Sequence, residues 1–486
     1  MKSKFILVTL IGFLISFSSI VSAAPAKKPS LNTRTNALEK EVRVLKNKLY
    51  TMQNKEAYLG SNLDLFVEMY AHGPAVVTSP ALGVRRNAED ASDLMVNLSS
   101  MHEDLVLLRL RQKMDRYAKA NNIPIPQRPI IALSGGVEGR ANYLRDYNSS
   151  KSNDVDLSRA ELDIVGEAGP WATAAMIISY DNGYDKNVNP EFGRTRVGNS
   201  RLFIDRAFVT IGQLEKCPLY FTIGQIFAPF GKYSSYMLTN TSAKILGRVK
   251  DRMIVLGLSQ AFTRDDASGS LSIQAYGYPG EMKVKDNSLV EHGGFNVDFE
   301  YIRGLFSMKV GGSMIGNIAE SEGMQTVFNA PSSIKHINMQ DRIFGFNGRA
   351  KVSFGMFNLL AEYVAAGKRF HPDDLYFYTE GAPKKGAQPK ALTAEGAVEF
   401  KILGKPNTLA IGYGQTWEAL GLGLPRNTLF ASYALSFWRN TIFTLEYRRD
   451  INYRFDKIGG GGNIEEVRVT DGRNRNTLTA QFGIYF

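Results

Sequence analysis

Cysteine is nearly absent from this sequence. Cys217, beside Pro218, is the only one, so no intrachain disulfide staples the fold. Histidine is scarce too: the five, at 72, 102, 292, 336 and 371, are scattered, with no pair at metal-ligand spacing. Gly311-Gly-Ser-Met-Ile-Gly316 resembles a nucleophile elbow only in outline, because Ile315 stands where the second glycine belongs. These absences leave no catalytic constellation, so the expectation is a non-enzyme with no metal and no cofactor. Beyond the N-terminus, no stretch reaches the ~18 consecutive apolar residues that a membrane helix needs. No nucleic-acid-binding motif occurs either.

What is present begins with an address. Met1-Lys-Ser-Lys4 precedes an apolar run from Phe5 to Phe17 and a small-residue site at Val21-Ser22-Ala23. This predicts a secretory signal peptide over residues 1–23, cut after Ala23. The formal charge is +11; losing Lys2 and Lys4 leaves +9, a balance that favours anionic partners.

The other end of the chain sets the fold class. In Asn476–Phe486, Leu478, Ala480, Phe482, Ile484 and Phe486 share one face, and Thr477, Thr479, Gln481, Gly483 and Tyr485 the other. Period-two alternation over that length fits a transmembrane β-strand. The terminal Phe486, with Ile484 and Phe482 two and four positions back, resembles the assembly signal of bacterial outer-membrane barrels. Upstream, alternating segments begin near Leu133, Leu157, Trp171, Arg201, Pro218, Met253, Leu271, Gly293, Leu305, Ile343, Met356, Leu392, Asn407, Asn427, Asn440 and Asn476. Short connections alternate with long ones, Arg264 to Ser270 being a somewhat longer exception, as expected of periplasmic turns and extracellular loops. The prediction is an all-β transmembrane barrel of 16 antiparallel strands over residues 130–486, in the outer membrane of a Gram-negative cell. A barrel that wide leaves an aqueous lumen unless something folds into it.

Before the barrel, Leu31, Leu38, Leu45, Met52 and Leu59 recur every seven residues, with charges such as Glu39, Glu41 and Lys46 flanking them. This predicts an α-helical periplasmic coiled coil over 24–60 and homo-oligomerisation through it. A single amphipathic helix packed on the barrel is the plainer reading. Residues 61–129 read as a periplasmic helical and linker region or a partial plug. They include a basic helix over 101–120, with Leu105, Leu108 and Met114 on one side, and the stiff Ile123–Pro129 linker.

Parity turns Arg140, Arg159, Arg206, Arg349, Lys351, Arg448 and Arg454 toward the lumen, alongside Glu161, Asp163, Glu300 and Glu446. Basic rings bias a pore to anions, whereas paired charges merely keep its wall polar. Arg194, Arg196, Lys232, Arg248, Lys368 and Arg369 fall in long loops, where they would capture anionic solutes or meet lipopolysaccharide phosphates.

Gly224-Gln-Ile-Phe-Ala-Pro-Phe-Gly231 resembles a strand-to-loop motif of phosphate-selective-type porins. The whole order of signal peptide, Leu31–Leu59 heptads, middle helix, Pro-rich linker and barrel ending Gln481-Phe-Gly-Ile-Tyr-Phe486 resembles the LbtU-type siderophore porins. That resemblance implies uptake of a ferric polycarboxylate siderophore of the legiobactin type, without the usual energy-coupling plug. A general or anion-selective diffusion porin and a structural envelope protein are the competing readings.

Overall fold

A computed structural model describes residues 76–78, 94–95, 97, 101–122, 129–181, 201–264, 267–280, 283–284, 292–328, 338–438, 440–461, 464–469 and 473–486. The expected signal peptide and coiled coil lie outside the described residues. The chain divides into Met1–Ser61 and Asn62–Phe486, and all that follows concerns the second unit.

The principal sheet has 17 strands. One is the three-residue Val76–Thr78, which runs parallel to the first barrel strand, with Val76 beside Ile131. The other sixteen form a closed antiparallel barrel. They are β1 (Ile130–Arg145), β2 (Lys151–Ala168), β3 (Ala172–Asp181), β4 (Arg201–Gly212), β5 (Leu219–Phe227), β6 (Lys250–Arg264), β7 (Ala267–Tyr278) and β8 (His292–Arg303). The second half comprises β9 (Phe306–Ile315), β10 (Gly345–Phe354), β11 (Phe357–Ala366), β12 (Lys390–Ile402), β13 (Lys405–Trp417), β14 (Asn427–Leu435), β15 (Thr441–Ile451) and β16 (Asn474–Tyr485). Each strand pairs with its neighbour in sequence. β16 also pairs with β1, from Gly136 opposite Tyr485 to Arg145 opposite Asn476. Closure leaves no ladder unsatisfied, which is the condition for a sheet in a bilayer.

Alternation decides which face looks out. On β13, Leu409, Ile411 and Tyr413 are 49%, 65% and 37% exposed, while Ala410 between them is 1% exposed. Leu429 and Leu445 on the next two strands continue the outward apolar band, the surface a barrel turns to lipid.

The connections beyond β2, β4, β6, β8, β10, β12 and β14 are short. Gly304 and Gly355 sit in them at φ 55° and 57°. Between β12 and β13, Leu403 and Gly404 both take positive φ, 51° and 76°, the demand of a tight primed hairpin turn. The β6–β7 connection corrects the sequence expectation. Arg264 pairs with Ala267, so only residues 265–266 separate the strands. Ala267-Ser-Gly-Ser270 looks like a loop by composition. Gly269 is instead the place where the Phe262 ring lies against the sheet: a Cβ there would come within 2.3 Å of the ring. A glycine covered by an aromatic side chain is stable in a strand.

Arg454 is also corrected. β15 ends at Ile451, and Arg454 lies beyond it with its side chain 77% exposed, 3.7 Å from Asp456. The alternation continues past the strand because Tyr453 is buried for another reason. Its hydroxyl meets Thr416 Oγ1 at 2.7 Å and accepts from the Ala419 amide at 3.1 Å.

Candidate functional site in the barrel lumen

Among the described residues two longer segments occupy the lumen, and the short stretch at Asn97 bridges to one of them at Ser235. The first is α1 (Glu103–Ala120), whose apolar stripe sets Leu105 and Leu108 against Tyr220 on β5. Its polar groups are matched one by one. Arg206 on β4 meets Glu103 and, from β2, Glu161, each at 2.5 Å, with Asp205 at 2.9 Å. Thr222 donates to Asp104 at 2.9 Å. Arg111 donates to Thr173 at 3.2 Å and to the Gly169 carbonyl at 2.5 Å. Glu103 and Asp104 also sit in the first turn, where the helix dipole favours negative charge. The residue before the helix, His102, takes the left-handed conformation at φ 60°. Its Nδ1 lies 2.7 Å from Gln274 Oε1 and its Nε2 3.2 Å from the Gly231 carbonyl.

The second segment is the β5–β6 connection, residues 228–249, which the alternation of loops assigns to the extracellular side. It folds inward instead. Three glutamates on the far wall hold it by its main chain. Glu362 on β11 accepts from the amides of Lys232 and Tyr233 at 2.8 and 2.7 Å. Glu395 on β12 accepts from the Tyr236 amide at 2.8 Å and from Ser235 Oγ at 2.6 Å. Glu446 on β15 accepts from the Leu238 amide at 2.5 Å. Charge-assisted hydrogen bonds of this kind are about twice as strong as neutral ones. Parity marks Glu446 as inward, and it equally marks Glu362 and Glu395. No sequence signal says that they would face main-chain amides. The motif glycines have structural reasons: Gly224 adopts φ 145° and Gly231 φ 79°, conformations that L side chains rarely take. The Gly231 amide donates to Ser313 at 3.0 Å, which starts the crossing.

The lumenal cations sort into two groups. One group is neutralised in place. Arg140 pairs with Asp156 at 2.8 Å, and Arg448 with Asp450 at 2.8 Å. Arg159 lies 3.9 Å from Glu138 and 3.7 Å from Glu161. With Arg206 engaged as above, the β1–β4 wall is a charge-paired support. The opposite wall differs. Lys309 on β9 stands directly across from Lys351 on β10, and Gly311 across from Arg349. Arg349 pairs with Asp298 at 2.6 Å. Glu300 receives Lys309 at 2.8 Å and Arg109 from α1 at 3.8 Å. Lys232, exposed at the start of the inward loop, interacts with Lys309, Arg349, Asp298 and Glu300. Arg109, Lys232, Lys309 and Arg349 thus gather around Asp298 and Glu300, with Lys351 across the ladder from Lys309. Sequence reasoning reached Arg349 and Lys351 by parity, placed Lys232 in an outer loop and missed Lys309. Lys309 has the inward parity of Gly311, but small and apolar neighbours on β9 hide the pattern.

Among the loop cations, Arg194 and Arg196 lie outside the described residues. Arg248 pairs with Glu322 in the short helix Glu322–Phe328 and lies 5.0 Å over the Phe227 ring. Lys368 meets Asp341 at 3.2 Å, and Arg369 holds Glu418 by two contacts of 2.6 and 2.9 Å. Each described one outside the lumen therefore has an acidic neighbour.

Two groups at the start of α1 titrate in opposite senses. Burial raises the Asp104 carboxyl from 3.8 to about 6, and burial lowers His102 from 6.5 to about 4. Docked Asp104 binds more protons than free Asp104, so its contribution is present below pH 3.8 and is lost as pH rises to about 6. Docked His102 binds fewer, so its contribution is present above pH 6.5 and is lost as pH falls to about 4. In the wild type the two slopes oppose each other. Asp104→Asn leaves a helix that loosens on acidification; His102→Gln leaves one that loosens as pH rises from about 4 to 6. Hydrogen exchange of residues 103–120 between those limits reads the difference, and equal slopes in both variants would refute the assignment.

No family model matches the chain. It is 32% identical to a UPF0422 protein of Coxiella burnetii over the full length of both chains. It is 34% identical to a UPF0422 protein of Legionella pneumophila, covering 86% of this chain and 78% of the relative. Among solved structures, the anion-selective porin from Comamonas acidovorans aligns at a TM-score of 0.46 and 10% identity, over 74% of this chain and all of that one.

Proposed function

The chain belongs to the UPF0422 family, and from that premise we propose that it is an outer-membrane porin whose lumen passes an anionic solute. The finer reading is a receptor-porin that imports a ferric polycarboxylate siderophore of the legiobactin type. One observation carries the anionic preference: the lumenal cluster of Arg109, Lys232, Lys309 and Arg349 around Asp298 and Glu300. A cationic constriction concentrates anions and repels cations. The short-turn end of the barrel is assigned to the periplasm and the long-loop end to the cell surface.

A general or anion-selective diffusion porin fits the same basic wall. The receptor reading takes the occupied lumen, with α1 and the 228–249 segment anchored by Arg206, Glu362, Glu395 and Glu446, as its selectivity element. A receptor gains selectivity from contacts that a ligand must displace, whereas in a diffusion pore the same segments would only narrow the lumen.

The test is planar-bilayer recording of the full-length protein. The wild type should be anion-selective in a salt gradient, and ferric citrate, as a polycarboxylate chelate, should block the current saturably. Lys309→Glu/Lys351→Glu should move the reversal potential toward cation selectivity. Cation selectivity in the wild type would overturn the reading as a whole. Anion selectivity without saturable block would leave the diffusion porin and remove the siderophore.

A further inference from the structure

The outer face of the barrel carries a second cationic feature, unrelated to the lumen. At the seam where the barrel closes, the register sets four outward residues side by side. Arg449 on β15 is opposite Asn476 on β16, Asn476 is opposite Arg145 on β1, and Arg145 is opposite Lys151 on β2. Directly opposed residues point to the same face of a sheet. That face is the lipid face, because two residues nearer the short-turn end the same rows carry Tyr447 and Tyr143, 47% and 41% exposed. Arg449, Arg145 and Lys151 are all exposed. None of the three has an ion pair or hydrogen bond from its side chain among the described residues.

The surroundings remove the ordinary explanation. Surface cations usually sit among carboxylates. The outward positions of β1, β2, β15 and β16 hold no Asp or Glu along their whole length; the acids of these strands all point inward. Asp450, for instance, receives Arg448 and Arg475 within the lumen. With strands about 4.8 Å apart, Arg449 to Lys151 spans roughly 14 Å. Below this row lie the two tyrosines, with Asn153 beside Tyr143, and then mainly apolar residues such as Leu445, Leu478 and Ala480 down to the terminal Phe486. Tyrosines mark the level of the membrane interface. The three cations therefore stand at the headgroup level of one leaflet, and the outward positions of these four strands bring no carboxylate to them.

We propose that Arg145, Lys151 and Arg449 form a binding site for the phosphate groups of the outer-leaflet glycolipid, lipopolysaccharide. Lipid acyl chains cover the apolar rows below, and the phosphates neutralise the row above. Asn476 sits between the cations; its side-chain oxygen already accepts from Tyr447 Oη at 2.8 Å, which leaves its amide nitrogen for a phosphate oxygen. The site lies across the β1–β16 seam, so a bound lipid straddles the two strands that close the barrel. This inference rests on the outer-membrane reading and on the long loops facing the cell surface.

The test keeps the two apart. Full-length protein refolded in detergent is mixed with lipid A carrying both phosphates, and bound lipid is counted by native mass spectrometry. Arg145→Ala/Lys151→Ala/Arg449→Ala should lower retention roughly tenfold, while Lys384→Ala/Arg468→Ala, in the outer loops, should not. Enzymatically dephosphorylated lipid A should bind weakly to every variant, and added salt should weaken binding of the phosphorylated form. All three residues are exposed, and an unchanged heat-modifiable gel shift confirms that the variants fold. Wild-type retention by the triple variant, or equal retention of the dephosphorylated lipid, overturns the proposal. Sidedness is read separately, from Asn148→Cys in a Cys217→Ser background treated on intact cells with a membrane-impermeant maleimide. Absence of labelling would overturn the orientation, whatever the lipid result.

Discussion

Replacing Arg206 with methionine should expel α1 from the lumen and raise single-channel conductance at least about twofold, since a helix with its side chains fills a cylinder about 10 Å across. The Arg206 side chain is 3% exposed and sits among Glu103, Glu161 and Asp205. A buried ion cluster adds little net stability over apolar packing, but removing one partner leaves uncompensated charge and costs about 3–5 kcal/mol. Without the guanidinium, Glu103 faces Glu161 in a site closed to solvent. The ladders of β4 with β3 and β5 use only main chain, so the barrel itself should stand. The helix, held by side chains, is what moves. Neutralising the acids in the same background, as Arg206→Met/Glu103→Gln/Glu161→Gln, should return conductance toward the wild-type value. Bilayer recording and limited proteolysis of residues 101–129 measure the effect. Unchanged conductance together with an uncut helix would show that this cluster does not hold α1. Arg206 thus anchors the plug in the structure, where parity alone would enrol it in a solute pathway.

Deleting Phe486 should cut the amount of barrel in the membrane by about an order of magnitude. Its amide donates to the Gly135 carbonyl at 3.0 Å, and its carbonyl accepts from the Gly135 amide at 2.7 Å. These are the last bonds of the β1–β16 seam, each with a net worth of about 1 kcal/mol. The ring lies over Gly135, where a Cβ would meet it at 2.8 Å. Chain ends must meet late, after the intervening strands have formed, so a weakened seam exposes two ladder edges at the slowest step. Gly135→Val keeps the chain length but displaces the ring, and should lower assembly in the same direction by less. Membrane fractionation with a heat-modifiable gel shift reads both. Wild-type levels of the truncated protein would show that the terminal residue is dispensable to the seam.

Legibility in the sequence follows the period of the structure. Strands were legible because a barrel wall between lipid and water forces alternation at every position: Leu409-Ala-Ile-Gly-Tyr413 can hardly be read otherwise. The errors fall where that force lapses. Arg454 continues an alternation that the buried Tyr453 maintains after the strand has ended. Ala267–Ser270 breaks it because Gly269 relies on the ring of Phe262. Lys309 lay hidden among small neighbours. Contacts inside the lumen have no period at all, so Glu362 and Glu395 could be placed on the right face without revealing their partners.

By itself the sequence determined the sheet, its sixteen strands, its closing segment at Phe486 and the inward or outward sense of most side chains. Each of these depends on a residue's near neighbours and on which solvent its face meets. Only the tertiary structure decided that the lumen is filled. Whether 228–249 reaches outward or folds in depends on carboxylates 130 to more than 200 residues away, and whether α1 docks depends on Arg206, 103 residues from Glu103. The pairing of the lumenal cations was likewise settled there: which carboxylate each arginine meets depends on the closure that brings β1 beside β16 and α1 beside β8.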